Sequence, residues 1–354
     1  EVDAGRRNAL AALAGAIAVG VLGVGAQATG VGPRLSGRTG STGGASGSGP
    51  TSQDVQVLLQ EASEKSLDVE GLEPLVSEDF YEVDIAAVNP DLSADDWTLS
   101  FTGAVAEGKS IDYQTLTAMA PEHRFVTLRC VGETLNGHKT DNALWTGVPI
   151  APLLADLDLQ SGCECVMLRA EDDYYEEFPL AALERGFLAW GMNGRDLPRG
   201  HGFPVRALIP GHWGEINVKW LTEIEFLDRE TDGFWEERGW HGTGPVNTVA
   251  KLWAVNHLDG GRIQVGGHAY AGTRGVDAVE VSIDGGATWT DATLSEQLPG
   301  EDVWRQWAYE YDSPGAPHEV VVRAVDGTGE VQSAEQRPAF PNGPAGWVSQ
   351  RVQG

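Results

Sequence analysis

Cys130 closes the run Arg129-Cys130-Val131-Gly132, and about seventy residues later the chain reads His201-Gly202-Phe203-Pro204-Val205-Arg206. Pro210-Gly211 and Asn217-Val218-Lys219-Trp220 follow. A thiolate is a soft donor suited to a soft metal. Guanidinium, ammonium and imidazole groups hold phosphate-bearing anions through charge-assisted hydrogen bonds. The combination suits one metal and one large anionic organic cofactor. Alone, Cys130 would read as a core cysteine, the common state of a free thiol. The cationic set at fixed offsets downstream favours the ligand.

These residues need elements to carry them. Residues 124–130 read as a strand that delivers the thiol at its end, and 97–103, 205–210 and 218–226 read as further strands. Residues 149–157 suit a short helix. From about Trp240 the texture changes. Residues 247–256, 262–271, 278–283, 304–311 and 319–324 read as strands, with Asp284-Gly285-Gly286 as a hairpin turn. Short strands at this spacing predict an all-β sandwich of immunoglobulin type.

The chain has 354 residues, 41% of them hydrophobic, enough for two domains and an appendage. Asp and Glu number 52 against 24 Lys and Arg, a formal net charge of −28 spread along the chain. No basic stripe exists to meet phosphates, which excludes a nucleic-acid partner. Scarce Lys beside abundant carboxylate fits a saline environment, because at about 1 M salt the Debye length falls to roughly 3 Å. An ordinary acidic extracytoplasmic protein is the alternative. Three cysteines are too few for a disulfide framework, and an odd number leaves one thiol free. Cys163 and Cys165 lie in a strand-like stretch that puts them on one face. Core packing is the preferred reading for them, and a metal pair the alternative. Motifs for haem attachment or an iron–sulfur cluster are absent.

Residues 9–26 are almost wholly apolar and follow Arg6-Arg7. That pattern predicts a membrane helix with its positive end in the cytoplasm, or a twin-arginine export signal. A stretch rich in Gly, Ser and Thr follows as a flexible tether, with a short helix over 53–63. The expected organisation is a membrane helix or signal anchor over 1–33 and a flexible linker with a short helix over 34–75. A domain of mixed strands and short helices carrying Cys130 over 76–240 and a β domain over 241–354 follow. Folded structure is expected from near Phe80, anchored on the extracytoplasmic face.

The Cys130 run and the 201–220 segment together resemble the sulfite oxidase family of molybdopterin-dependent oxidoreductases. The resemblance covers about residues 75–354, with 279–289 carrying it in the β part. It implies an α+β fold: a sulfite-oxidase-like mixed α/β molybdopterin domain followed by an all-β immunoglobulin-like dimerisation sandwich. It implies a molybdenum-molybdopterin cofactor, with Cys130 as the protein's metal ligand. It assigns cofactor contacts to His201, Arg206, Asn217, Val218 and Lys219. Tyr81, Glu82 and Asp84 match an early cofactor-contacting stretch less specifically, and Asp172 is matched to an aspartate on the pterin. Trp240 and His241 stand where the family carries its active-site tyrosine.

Three departures bear on substrate. Glu133-Thr134-Leu135 replaces the stretch carrying an arginine after the ligand cysteine. Val83 replaces a second arginine, and Trp240 the tyrosine. Sulfite is a dianion, so these losses point to a less charged substrate. The expected function is two-electron oxygen-atom transfer on a small sulfur-containing substrate outside the cytoplasm. Electrons would pass through a separate partner, a haem protein or small redox carrier, and the resemblance implies a homodimer. The alternatives are an S-oxide reductase of the periplasmic methionine-sulfoxide reductase type, or a metal-free exported binding or scaffold protein.

Overall fold

The computed structural model describes residues 52–160 and 162–354; the apolar run 9–26 and the tether up to residue 51 lie outside them. Among the described residues no helix is long and apolar enough to cross a membrane.

Among the described residues there are four α-helices, and only α1 (Ser52–Lys65) exceeds five residues. The others are α2 (Tyr113–Thr117), α3 (Ala151–Leu154) and α4 (Leu180–Leu183). Strands supply the rest. In the first part they are β1 (Thr98–Gly103), β2 (Lys109–Asp112), β3 (Glu122–Arg129), β4 (Thr140–Pro149) and β5 (Cys165–Ala170). They continue as β6 (Tyr175–Pro179), β7 (Phe187–Met192), β8 (Arg195–Asp196), β9 (Arg206–Leu208) and β10 (Leu221–Phe226). One sheet has the order β2-β1-β10-β5-β6, with β1 and β10 parallel. The other has the order β3-β4-β7-β8, with β9 also on β7. Leu99, Phe101, Val166, Leu168, Ile224 and Phe226 of the first sheet share one core with Val148, Leu188 and Ala207 of the second. The helical content is below that expected for a mixed α/β domain, because the stretches read as helix supply single turns.

The strand that leads to the thiol is buried on both faces from Phe125 to Arg129, so Thr127 and Arg129 are buried along with its apolar residues. Val126 and Leu128 face Trp145, Phe187 and Leu208. Phe125, on the opposite face, joins Leu144, Tyr270 and Trp304. Its two sides therefore meet two different cores.

After residue 246 the strands are β11 (Val249–Ala250), β12 (Ala254–Leu258), β13 (Arg262–Tyr270), β14 (Val276–Ser282) and β15 (Thr290–Asp291). β16 (Thr293–Leu294), β17 (Arg305–Asp312), β18 (His318–Asp326) and β19 (Val348–Val352) complete the chain. They form an all-β unit of two sheets, β11-β13-β17-β16 with β12 on β13, and β15-β14-β18-β19. Val265 and Trp307 of one sheet pack with Val279, Val281, Val322 and Val348 of the other. The Asp284-Gly285-Gly286 turn forms as expected. Both glycines have positive φ, and the Asp284 carboxylate accepts from the Ala287 and Thr288 amides at 3.0 and 2.9 Å.

Two expectations need correction. Ordered packing starts well before Phe80. Along α1, Val55, Leu58, Leu59 and Ala62 make one apolar face at helical spacing, and Leu75 is fully buried. The following strap is held by other segments: Trp304 Nε1 and Asn142 Nδ2 donate to Leu75 O at 2.8 and 2.7 Å, and Gln306 Nε2 donates to Glu73 O at 2.6 Å. Distant side chains satisfy its backbone, so local composition conceals its order. Second, Cys163 and Cys165 do not share a strand face; they form a disulfide. Glu164 between them adopts φ 52°, which breaks the extended alternation, and β5 starts only at Cys165.

The two parts meet through a buried charge network. Glu133, in the loop after Cys130, is 2% exposed, and Lys251, just after β11, is 1% exposed. Lys251 Nζ donates to both Glu133 oxygens at 2.7 Å, and to Gly137 O and Thr140 Oγ1 at 2.7 Å. Arg129 Nε reaches Glu133 Oε1 at 2.6 Å, and its Nη1 reaches Asn247 O at 2.8 Å. Removing one partner of a buried ion pair costs about 3–5 kcal/mol, because the remaining charge stays desolvated. Lys251→Met should therefore lower the unfolding free energy by about 3 kcal/mol or more. Urea titration reads this directly, and an unchanged midpoint would show that Arg129 alone satisfies Glu133.

Candidate active site

Cys130 lies one residue beyond β3. Its amide donates to Lys139 O at 2.9 Å, closing the 130–139 loop around Glu133. The thiol is free, and burial pushes its pKa up. A Cβ built on Gly132 would lie 3.6 Å from the Trp240 ring and 3.9 Å from Cys130 Sγ. The indole expected at the family's tyrosine position thus borders the thiol.

Arg206 opens β9 and is 4% exposed. Its Nη1 donates to His201 O at 3.1 Å and its Nη2 to Asn217 O at 2.9 Å, and the guanidinium lies 5.1 Å from the Trp145 ring centre. Its Nε is buried with no partner. Burial pushes the group down to about 10, and Tyr81 opposes the shift. A buried guanidinium without a carboxylate pair among the described residues, with one N–H unfilled, suits a resident anion.

His201 ends a 3-10 turn, its ring edge-on to Phe80 at 5.5 Å. Burial, then Arg206, push its imidazole down to about 4, so it is neutral at neutral pH. Lys219 Nζ donates to Asp84 Oδ2 at 2.8 Å and to Gly200 O at 2.9 Å. Burial lowers its pKa, against the Asp84 hydrogen bond. The segments close on each other at Gly202, φ 108°, where a Cβ would come within 3.0 Å of Lys219 Cα and 3.1 Å of Arg206 Cβ. Any side chain there would fill the space where these two cationic stretches meet.

The early stretch reaches the same place. A Cβ on Gly214 would meet the Tyr81 hydroxyl at 3.0 Å and Arg129 O at 3.2 Å. Burial, then Cys130, raise the Tyr81 pKa well above the ordinary phenol range. Glu82 accepts from Asn89 Nδ2 at 3.0 Å and covers the Cα of Gly200. Asp172 is half-buried, and burial raises its pKa; the charges acting on it include Asp84 and Lys219. Cys130, Trp240, Tyr81, Glu82, Asp84, Asp172, His201, Arg206 and Lys219 are thus linked through one connected region.

Two of the expected contacts have no side chain to give. Asn217 Oδ1 accepts the Ile209 amide at 2.7 Å, and its Nδ2 donates to Trp213 O at 2.9 Å. Val218 is buried in the core, and its carbonyl accepts from the Ala207 amide. Only their main chain can meet a ligand. His241 is exposed, and its amide donates to Pro341 O at 2.9 Å. Sequence reading missed Trp145 beneath Arg206 and the buried acids Glu215 and Glu176. A signal existed for Glu176, which alternates on the inward face of β6 with Phe178.

Residues 86–235 match the oxidoreductase molybdopterin binding domain family, and residues 246–339 match the Mo-co oxidoreductase dimerisation domain family. The chain belongs to the sulfite oxidase family. It is 29% identical over 305 residues to mitochondrial sulfite oxidase of Macaca fascicularis, covering 71% of this chain and 56% of that protein. It is 33% identical over 179 residues to the enzyme of Mus musculus, covering 43% of this chain and 33% of that one. The chain therefore spans about half or less of the length of these relatives. The crystal structure of the sulfane dehydrogenase SoxCD from Paracoccus pantotrophus shares the fold, with a TM-score of 0.66 at 21% identity, over 75% of this chain and 77% of that one.

A family member of this kind is a molybdopterin oxidoreductase with a molybdenum-molybdopterin cofactor, and the residues present fit it. A thiol stands at the centre, the unfilled Arg206 Nε and the Lys219 ammonium offer donors to an anion, and Gly202 leaves room between them. A charge-assisted hydrogen bond contributes roughly 1.5–3 kcal/mol. Arg206→Ala should weaken cofactor retention by about tenfold or more. Pterin content after dialysis measures this, and full occupancy in the variant would remove Arg206 from the cofactor site.

Proposed function

We propose that this sulfite oxidase family member carries out two-electron oxygen-atom transfer on a small sulfur-containing substrate less charged than sulfite. The charge around the thiol carries this reading. Arg129 lies directly behind Cys130; its Nε and Nη1 are committed to Glu133 and Asn247 O and its face to the Trp213 ring, leaving only Nη2 unfilled. The other charges acting on the thiol are Lys139 on one side and the carboxyls of Glu133 and Glu215 on the other. Trp240 adds an apolar wall. A dianion would meet one ammonium, that of Lys139, because Glu133 holds Arg129 and Lys251. A neutral or singly charged sulfur compound would instead find a ring face and a polar floor.

In this reading Cys130 holds the metal. Arg206 and Lys219 hold the anionic part of the pterin cofactor, and neutral His201 offers a hydrogen bond. Tyr81, Glu82, Asp84 and Asp172 line the same region, Asn217 and Val218 contribute main chain, and Trp240 with His241 forms the substrate rim. When bound, the cofactor supplies the redox chemistry, while the protein orients it, shapes the pocket and sets its charge. Electrons pass to a separate haem protein or small redox carrier. The β11–β19 sandwich, read as immunoglobulin-like, makes a homodimer. The apolar run 9–26 after Arg6-Arg7 supports an anchored, extracytoplasmic enzyme, and the charge of −28 suits a saline setting.

Dye-linked turnover with sulfite and with a neutral sulfoxide, run in both directions, tests the substrate class. Sulfite is expected to show a high KM, with two lost cationic contacts weakening it roughly a hundredfold if they add. Efficient sulfite turnover at low micromolar concentration would overturn the reading. Light scattering on the chain from residue 52 should give twice the monomer mass, and a monomer at micromolar concentration would remove the dimer.

A further inference from the structure

A second group of chemically active residues lies on the far side of the Cys130 loop. Glu176, inward-facing on β6, is fully buried, and Glu215 is 8% exposed. Glu236 lies on the 3-10 turn Glu236–Arg238. Glu176 Oε1 and both side-chain oxygens of Glu215 and of Glu236 are buried without a partner. A Cβ on Gly233 would stand 1.9 Å from Glu176 Oε1 and 2.7 Å from Glu236 Oε2, so the two carboxyls crowd one point. Tyr174 Oη lies 2.8 Å from Glu176 Oε2 and 3.0 Å from Glu215 O. Glu215 reaches the other way: a Cβ on Gly242 would meet its Oε1 at 2.3 Å and Val131 Cγ2 at 2.6 Å. Val131 directly follows Cys130.

Three desolvated carboxyls this close cannot all be ionised. Burial, then Glu236, raise the Glu176 pKa far above the carboxylate range, and burial, then Glu236, push Glu215 up to about 8. Tyr174 is raised as well and stays a neutral donor. Arg238, the nearest cation in sequence, pairs with Glu237 and donates to Phe234 O. Glu177, on the outer face of β6, is reached by acidic groups: Glu230, Glu236 and Asp232. Among the described residues no three His, Cys, Asp or Glu side chains are arranged to hold a metal ion. Protons remain as the counter-charge.

We propose that Glu215, Glu176 and Glu236 form a proton relay between the Cys130 pocket and the acidic surface at Glu177, Glu230 and Asp232. The proposal rests on the oxygen-atom transfer reading above. Oxidation of a sulfur centre with oxygen from water releases two electrons and two protons. The electrons leave to the redox partner, and the protons need an acceptor that is close and uncharged overall after loading. Glu215, neutral at rest, gives up its proton when the pair beyond it has a vacancy, and the carboxylate left behind takes one proton from the pocket. The Glu176–Glu236 pair holds one proton between two carboxyl groups. It releases that proton to water at the surface and is refilled from Glu215, and a second cycle removes the second proton. In the reductive direction the same chain delivers two protons. Glu176 and Glu236 touch no substrate and are positioning residues for the proton.

Infrared spectroscopy of the full, cofactor-loaded chain tests the shared proton without turnover. At pH 7 the wild type should show protonated-carboxyl stretches that shift in D2O, and Glu176→Gln should remove one of them. Glu236→Gln provides the same reading from the less buried partner should Glu176→Gln fold poorly. In turnover, both variants should keep KM while kcat per molybdenum falls about tenfold. The solvent isotope effect on kcat should rise, a small buffer acid should restore the rate, and Glu176→Asp should recover part of it. A missing carboxyl band, a stoichiometric divalent cation in elemental analysis, or an unaltered isotope effect in both variants would each overturn the relay. Absence of turnover on every sulfur compound, with the band present, would count against the proposed function and leave the shared proton standing.

Discussion

A carboxylate removed from water must recover in hydrogen bonds what it loses in hydration, or its neighbourhood will not form. Glu133 meets that demand with donors drawn from both parts of the chain: Arg129, Thr140, the Lys139 amide and Lys251. Three of these belong to the loop and strand ends that surround Cys130, and the fourth comes from the β-sandwich side. The position of the thiol is therefore a consequence of satisfying Glu133. Arg129 shows the same economy, using its ring face on Trp213 as well as its N–H groups. Substituting any member leaves a bare charge among apolar side chains, so the loop has few alternative arrangements.

Charges of both signs are buried in this molecule. Carboxylates dominate the chain, yet Arg129, Arg206 and Lys251 are buried, and Lys219 nearly so. Each of these cations sits against an indole: Trp213, Trp145, Trp253 and Trp220 respectively. Indole faces are polarisable and cost little desolvation for a guanidinium. They let cations enter the interior while leaving their N–H groups available. Where the partner is a carboxylate, as at Glu133, the result is a fixed joint. Where it is a carbonyl with an N–H left over, as at Arg206, the result is a seat for an anion.

Much of the site was legible because short motifs carry it. Cys130 at a strand end, and His201, Arg206 and Lys219 across one cis-proline turn and one strand start, come from segments whose local geometry is dictated by Gly202, Pro204 and the strand pattern. Most β-sandwich strands were legible from alternation, with bounds shifted by a few residues. Two kinds of feature were not. The strap from Leu67 to Leu75 owes its order to Gln306, Trp304 and Asn142, which lie far away in sequence. The disulfide depends on a left-handed residue, Glu164, that no periodicity announces. Buried acids were hidden for a related reason. In an acidic chain, Glu176, Glu215 and Glu133 look like surface residues until the fold shows which side of a strand or loop they occupy.

Lys251, Trp304 and Gln306 emerge from the ribosome long after Cys130 and Arg206. Until they arrive, Glu133 lacks its ammonium and the Glu73–Leu75 strap lacks its clasps. A nascent chain that has made only the pterin-binding half therefore carries the right ligands on an unfinished loop. The loop around Cys130 is completed by residues made late, Lys251 above all.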